Sequence, residues 1–249
     1  MPFKTPGDMV QSATRQGCAY TDASIPQQIV AGLLAGAYLA LGALVATVGG
    51  GQDGILYAVL APPGYLLAAL AGGQLFVINC AIVTPACLAG AVRWDILARN
   101  WGLVYIGNII GALVVALLFG YVGGVARGGE VGAYTVAVTE SLSGMGWGAL
   151  LLRGIGGGWL IGLAAWLALS ADSMAGRILS LWIPVAAYIA MGLVHIVTGM
   201  AMIPLGLLNG AHVGIVTLIW SVLLPVSLGN LAGAAGLVGA IYWWLYGRD

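Results

Sequence analysis

The chain has 249 residues, 61% of them hydrophobic and only 6% charged, and its eight Lys and Arg balance eight Asp and Glu to a net charge of zero, with a mean hydropathy of +1.03. A soluble domain carries roughly a quarter charged residues, so a soluble fold is excluded, and without a Lys/Arg cluster so is nucleic-acid binding. Several apolar runs exceed the roughly 20 residues that cross a hydrocarbon core, which defines an all-α polytopic membrane protein.

Residues 1–27 are polar, with Lys4, Asp8, Arg15 and Asp22, and lack the apolar core of a signal peptide, so the first span is expected to be retained. Met9, Val10 and Ala13 form one face of a short helix expected to lie along the membrane surface. Residues 28–249 are read as a six-span domain that begins with a span at about 29–48, where Gly32, Gly36 and Gly42 allow close helix approach. After the turn GGGQDG, a run from Ile55 carries Pro62, Pro63, Gly64, Gly72 and Gly73. It is interrupted near GGQLFVINC and resumes through AIVTPACLAG before the polar loop VRWDILARNW. Irregular backbone at membrane depth is tolerated only where it is buried in protein or lines a watery cavity.

Span three is expected at about 103–122, followed by a loop, GGVARGGEVGAYTVAVTESLSGMG, and by span four at about 147–169. Beyond the polar stretch SADSMAGR, span five runs from Ile178 through His195 to Leu208 and is again interrupted by glycine and proline. Span six covers about 213–245, and WWLYGRD ends the chain as an aromatic and basic interface anchor. The 41 glycines imply tight helix packing. Cys18, Cys80 and Cys87 fit neither a disulfide framework nor a zinc site and are read as buried spectators, and no cofactor or metal pattern is present.

With the N-terminus inside, Lys4, Arg15, Arg93, Arg99, Arg177 and Arg248 fall on the cytoplasmic side, and Arg127 falls outside with Glu130 and Glu140. That asymmetry places both termini in the cytoplasm of a cell with the protein in its inner membrane. Arg153, close to the outer end of span four, is assigned to neither side.

The two interrupted spans are alike. Sliding AGGQLFVINCAIVTPACLAG by 119 residues lays it over AMGLVHIVTGMAMIPLGLLN, matching Gly73 to Gly192 and Pro85 to Pro204 and setting Phe76 opposite His195. GNIIGA from Gly107 recurs as GNLAGA from Gly229, at an offset of 122. Three spans per half make the second copy inverted, with repeat one at about 28–124 and repeat two at about 145–246. Broken segments at corresponding positions of inverted halves point to a transport site near the midplane. His195 is the ionisable group there, and such a residue inside a span faces a cavity or a partner.

GGQLFVINC, RNWGLVYIGNIIGAL, GLVHIVTGMAMIPLG and LLPVSLGNLAGA, in this order, resemble the signature stretches of the formate/nitrite transporter family over about residues 5–246. The resemblance implies an aquaporin-like fold of six spans with helices 2 and 5 broken, a pore in each protomer and a homopentamer among membrane lipids. It also implies passage of small monovalent anions or their conjugate weak acids, of the formate, nitrite or hydrosulfide class, with a proton. Leu75 and Phe76 match the family's apolar loop residues, and Tyr65 and Tyr188 fall where it has constriction side chains.

A small anion faces a cost of order 20 kcal/mol in a dry apolar constriction. His195, whose imidazole titrates near neutral pH, is read as attracting the anion and sharing a proton with it between apolar gates. Broken-helix N-termini near Asn79 and Thr198 add positive dipole ends. The chain also departs from the family pattern. Gln74 stands where the family has a carboxylate, Val77 where it has a hydroxyl, Val194 where it has a glutamate, and Thr198, Gly199, Met200 and Ala201 replace Ala-Asn-Met-Phe, while Gly158 takes the place of an asparagine. Thr198 or Asn79 is the candidate to restore a hydrogen bond to His195.

Two other functions compete. A neutral-solute channel of the aquaporin kind needs Asn-Pro-Ala boxes, but no asparagine precedes Pro85 or Pro204. An intramembrane serine protease could use Ser143, which lies in the expected outer loop outside any G-x-S-x-G motif. His212 is read as a surface residue.

Overall fold

The computed structural model describes residues 3–248, so that Asp249 of the expected C-terminal anchor lies outside it. Thr5 starts α1 (Pro6–Asp22) with a capping box. Its hydroxyl accepts from the Asp8 amide at 3.2 Å, and Asp8 accepts from that hydroxyl at 2.6 Å and from the Thr5 amide at 3.2 Å. These bonds hold the Asp8 carboxyl below its ordinary range. Ser24 and Gln27 form a second box at the start of α2 (Ile25–Gly50), which has Pro26 in its first turn. Next come α3 (Gly54–Leu60) and α4 (Pro62–Leu70), a kinked rod that bends at Ala61, where Pro62 and Pro63 remove two donors. The chain continues through α5 (Phe76–Leu88), α6 (Trp94–Val122), α7 (Gly129–Ser143), α8 (Trp147–Ser170), α9 (Met174–Ala190), α10 (Ile196–Leu208) and α11 (Ile215–Tyr246).

Among the described residues α2, α6, α8 and α11 are long and apolar enough to cross a membrane. The shorter apolar helices come as two broken pairs, α3–α4 with α5 and α9 with α10. Helix α2 packs on α6, and α8 on α11, through glycines that admit the facing backbone. A Cβ at Gly36 would lie 2.1 Å from the Asn108 carbonyl, and one at Gly158 would lie 2.2 Å from the Asn230 carbonyl. Gly158 is therefore the counterpart of Gly36 at a helix crossing, and no polar side chain fits there.

Several expectations are corrected. The polar stretch from Trp94 is the first turns of α6, with Arg93 as its N-cap residue. The supposed outer loop contains α7, whose buried Gly132, Thr135 and Thr139 face α10, where Gly206 has room for Thr139 only because it lacks a Cβ. Met9, Val10 and Ala13 turn into the protein against α5 and α8 and not onto the membrane surface. The repeat also runs one residue out of the register that the prolines suggest. Gly72 and Gly192 are the positive-φ residues that turn the chain at the two breaks, at +84° and +66°. Helices α5 and α10 each span 13 residues and begin at Phe76 and Ile196. Leu75, not Phe76, is thus the counterpart of His195.

Candidate functional site

Both breaks are held by an asparagine from a long helix. The Asn108 Oδ1 accepts from the Phe76 amide at 2.9 Å, and its Nδ2 donates to the carbonyls of Gly32 at 2.8 Å and Gln74 at 3.0 Å. In the other half Asn230 Oδ1 accepts from the Ile196 amide at 2.8 Å, and its Nδ2 donates to Gly154 at 2.8 Å and Val194 at 2.9 Å. Each side chain satisfies backbone groups that a helix start would leave orphaned at membrane depth. Sequence reasoning used GNIIGA and GNLAGA only to find the repeat; the duplicated asparagine inside an apolar run was the signal for this role.

His195 is the N-cap residue of α10, with extended backbone at φ −117°, and is 2% exposed. Its Nδ1 lies 2.9 Å from the Tyr65 hydroxyl of α4 and 3.5 Å from Thr198 Oγ1. The Tyr65 oxygen is also 2.5 Å from the Tyr188 hydroxyl of α9 and 3.1 Å from Thr198 Oγ1. The imidazole packs tilted against the Tyr65 ring, centroids 5.4 Å apart. Nε2, on the far edge of the ring, is buried without a hydrogen-bond partner.

A cavity of about 420 Å³ reaches this cluster, and Tyr188, His195 and Thr198 form its floor. Val194 and Gly199 are among its walls. One face of α7 supplies Tyr134, Val138 and Ser141. Arg153 also lines the cavity, with its Nη1 donating to the Gly192 carbonyl at 3.3 Å, and among the described residues no Asp or Glu does. A second cavity of about 170 Å³ lies toward the other end of α8, among Lys4, Gly73, Ile78, Arg177 and Leu181.

The structure thus brings Tyr65, Tyr188, His195 and Thr198 together. It places the other expected site residues differently. Leu75 and Val77 are buried in the core. Phe76 packs edge-to-face on Tyr105, centroids 5.0 Å apart. Asn79 donates to Gln74 Oε1 and Asn100 Oδ1, both at 2.9 Å, and not to His195. His212 is exposed, with its amide 3.4 Å from Glu140 Oε1. Among the described residues no three His, Cys, Asp or Glu side chains converge to hold a metal ion.

Long apolar helices, paired broken helices and a buried polar cluster at a cavity floor define an all-helical membrane transport protein. Residues 7–244 match the family described as formate/nitrite transporter, and the chain belongs to that family. It is 32% identical over 276 residues to a probable formate transporter of Methanothermobacter thermautotrophicus, covering 99% of this chain and 98% of that one. Two solved structures share the fold. A channel described as an FNT family ion channel superposes with a TM-score of 0.88 over 96% of this chain and 98% of its own, at 23% identity. A pentameric formate channel with formate bound gives 0.74 over 90% and 98%, also at 23% identity.

Proposed function

We propose that this protein is a channel for small monovalent anions or their conjugate weak acids, of the formate, nitrite or hydrosulfide class, and that the solute meets His195 between the two cavities. One observation carries the reading. At the floor of a cavity with a cation and no carboxylate, His195 keeps Nε2 buried and unpartnered. An unsatisfied buried polar atom is costly unless something fills it, and an anion is the species that this lining favours. Arg153 on one side, and Lys4 and Arg177 on the other, set positive potential at both approaches. The helix starts at Phe76 and Ile196 add positive dipole ends. Between the cavities, Tyr65 and Tyr188 narrow the passage, and the solute crosses as the neutral acid with a proton that it brings from the aqueous side, while His195 holds it by a hydrogen bond.

The likeness to a pentameric channel supports a homopentamer, with lipid or neighbouring protomers against exposed side chains such as Leu152, Ile183 and Trp220. The basic-residue asymmetry supports six crossings in two inverted halves, with both termini in the cytoplasm. The missing asparagine before Pro85 and Pro204, together with the all-cationic approaches, weighs against an aquaporin-like neutral-solute channel. Proteoliposomes with an outward anion gradient and an internal pH dye are expected to show coupled proton movement with formate, nitrite or hydrosulfide. Flux no greater than that of empty liposomes for all three would remove the reading.

A further inference from the structure

The hydroxyl cluster fixes which imidazole nitrogen carries the proton. Three contacts meet at the Tyr65 oxygen: Tyr188 at 2.5 Å, His195 Nδ1 at 2.9 Å and Thr198 at 3.1 Å. A phenol has one proton to donate and room to accept two bonds. If Nδ1 is bare, Tyr65 donates to it while Tyr188 and Thr198 donate to Tyr65, so three hydroxyl protons make three bonds with none left over. If Nδ1 carries a proton, that proton takes the contact to Tyr65 or the 3.5 Å one to Thr198, and three hydroxyl protons compete for the two contacts left between hydroxyls. The surplus O–H then belongs to buried Tyr188, or to Thr198, which must turn into the cavity, and Nε2 becomes a bare acceptor with no donor bonded to it.

We infer that Tyr65 is a positioning residue that holds neutral His195 as the tautomer with its proton on Nε2. The inference rests on the proposed function for its solute and adds that the site needs no imidazolium to greet an anion. The N–H already points at it, desolvated and aimed, and a hydrogen bond from that group to an anion is of the strong, charge-assisted kind. None of the three hydroxyls gains or loses a proton in this step. The Nε2–H donates a hydrogen bond to the solute and keeps its proton, while Tyr65 continues to donate to Nδ1. The family resemblance puts Tyr65 and Tyr188 where the family has constriction side chains; the proton count gives one of them a chemical task.

The chain has two histidines, so His212→Gln, at the exposed position, leaves a single imidazole to observe. The test is ¹⁵N NMR of histidine-labelled H212Q protein in lipid nanodiscs at pH 7.5 without solute, with formate uptake measured in parallel. A bare Nδ1 and a protonated Nε2 are expected. Adding Tyr65→Phe should convert this signature to a mixture and raise the formate KM about tenfold, as expected for loss of one buried hydrogen bond, with maximal flux changed less. Tyr188→Phe, which leaves the Tyr65 donation in place, should keep the signature and so controls for disturbed packing. A protonated Nδ1 in the parent overturns the inference, as does a Tyr65→Phe protein with unchanged signature and KM. The ring spectrum is read without transport, so an absence of flux with every anion would remove the proposed function and leave the tautomer separately decided.

Discussion

The two halves share a backbone and distribute their polarity in opposite ways. In the first half Gln28, Gln74, Asn79 and Asn100 are buried together. Asn100 Nδ2 donates to Gln28 Oε1 at 3.0 Å and to Gln74 Oε1 at 3.3 Å, and Gln28 Nε2 donates to the Ala23 carbonyl at 2.7 Å. Their counterparts in the second half are Leu150, Val194, Gly199 and Val222, all without polar side chains, and two of these line the larger cavity. Conversely, Tyr65 in α4 faces across the halves to Tyr188, His195 and Thr198, whose own counterparts are Ala68, Leu75 and Ile78. Amides that spend their donors on one another and on backbone carbonyls brace the fold, and the atom they leave buried without a partner among the described residues is an amide oxygen, Asn79 Oδ1. A histidine with one nitrogen left open beside a cavity is placed to meet a solute. The difference lies in which atoms remain unpaired, not in how many polar residues each half holds.

The sharpest way to break this contrast is to give the second half the first half's residue. His195→Leu, copying Leu75, is expected to reduce anion-dependent flux to the level of empty liposomes while the oligomer survives size-exclusion chromatography; retained flux would remove the histidine from the mechanism. A smaller effect, on stability, should come from the asparagines that both halves retain. Asn108→Ala and Asn230→Ala each strand two buried backbone groups, the amide that starts the helix and the carbonyl two residues before it, at about 1–3 kcal/mol per group. Both should lower the thermal midpoint in detergent to a similar degree, and a large inequality would show that the two breaks are not held alike. The smallest effect concerns α1. Because Thr5 holds Asp8 below its ordinary value, the stabilisation is complete above the unfolded carboxylate's range near pH 4 and is lost as pH falls through the lower, folded value. The protection factor against hydrogen exchange at residues 8–12, corrected for the intrinsic rate at each pH, should therefore fall between pH 5 and pH 2, and Thr5→Ala should flatten that dependence.

The broken spans, the long helices and the burial of His195 were legible in the sequence because hydropathy, glycine and proline report directly on backbone and burial. The register was not. Proline weakens a helix wherever it stands, so matching Pro85 to Pro204 aligned two breaks that differ by one residue, whereas the asparagine-to-amide bonds fix the pairing. Helix α7 escaped notice because its buried face is Gly132, Thr135 and Thr139, small residues that hydropathy does not mark as interior. Asn79 looked like a pore residue because its partners, Gln74 and Asn100, reach it from a loop and a separate helix. The tyrosines came from the family pattern, but their shared hydroxyl cluster required three helices to be folded around one ring.

The asparagine brackets also set a timescale. With Asn108 and Asn230 each tying a break to two neighbouring backbone segments, neither break can swing as a hinge without losing several buried bonds at once. The microsecond-to-millisecond excursions of a flap are thereby closed to the peptide chain at the centre of the protein. What remains free to move there is the side chains, so the aperture a solute meets is widened by rotating rings and methyl groups within a fixed frame.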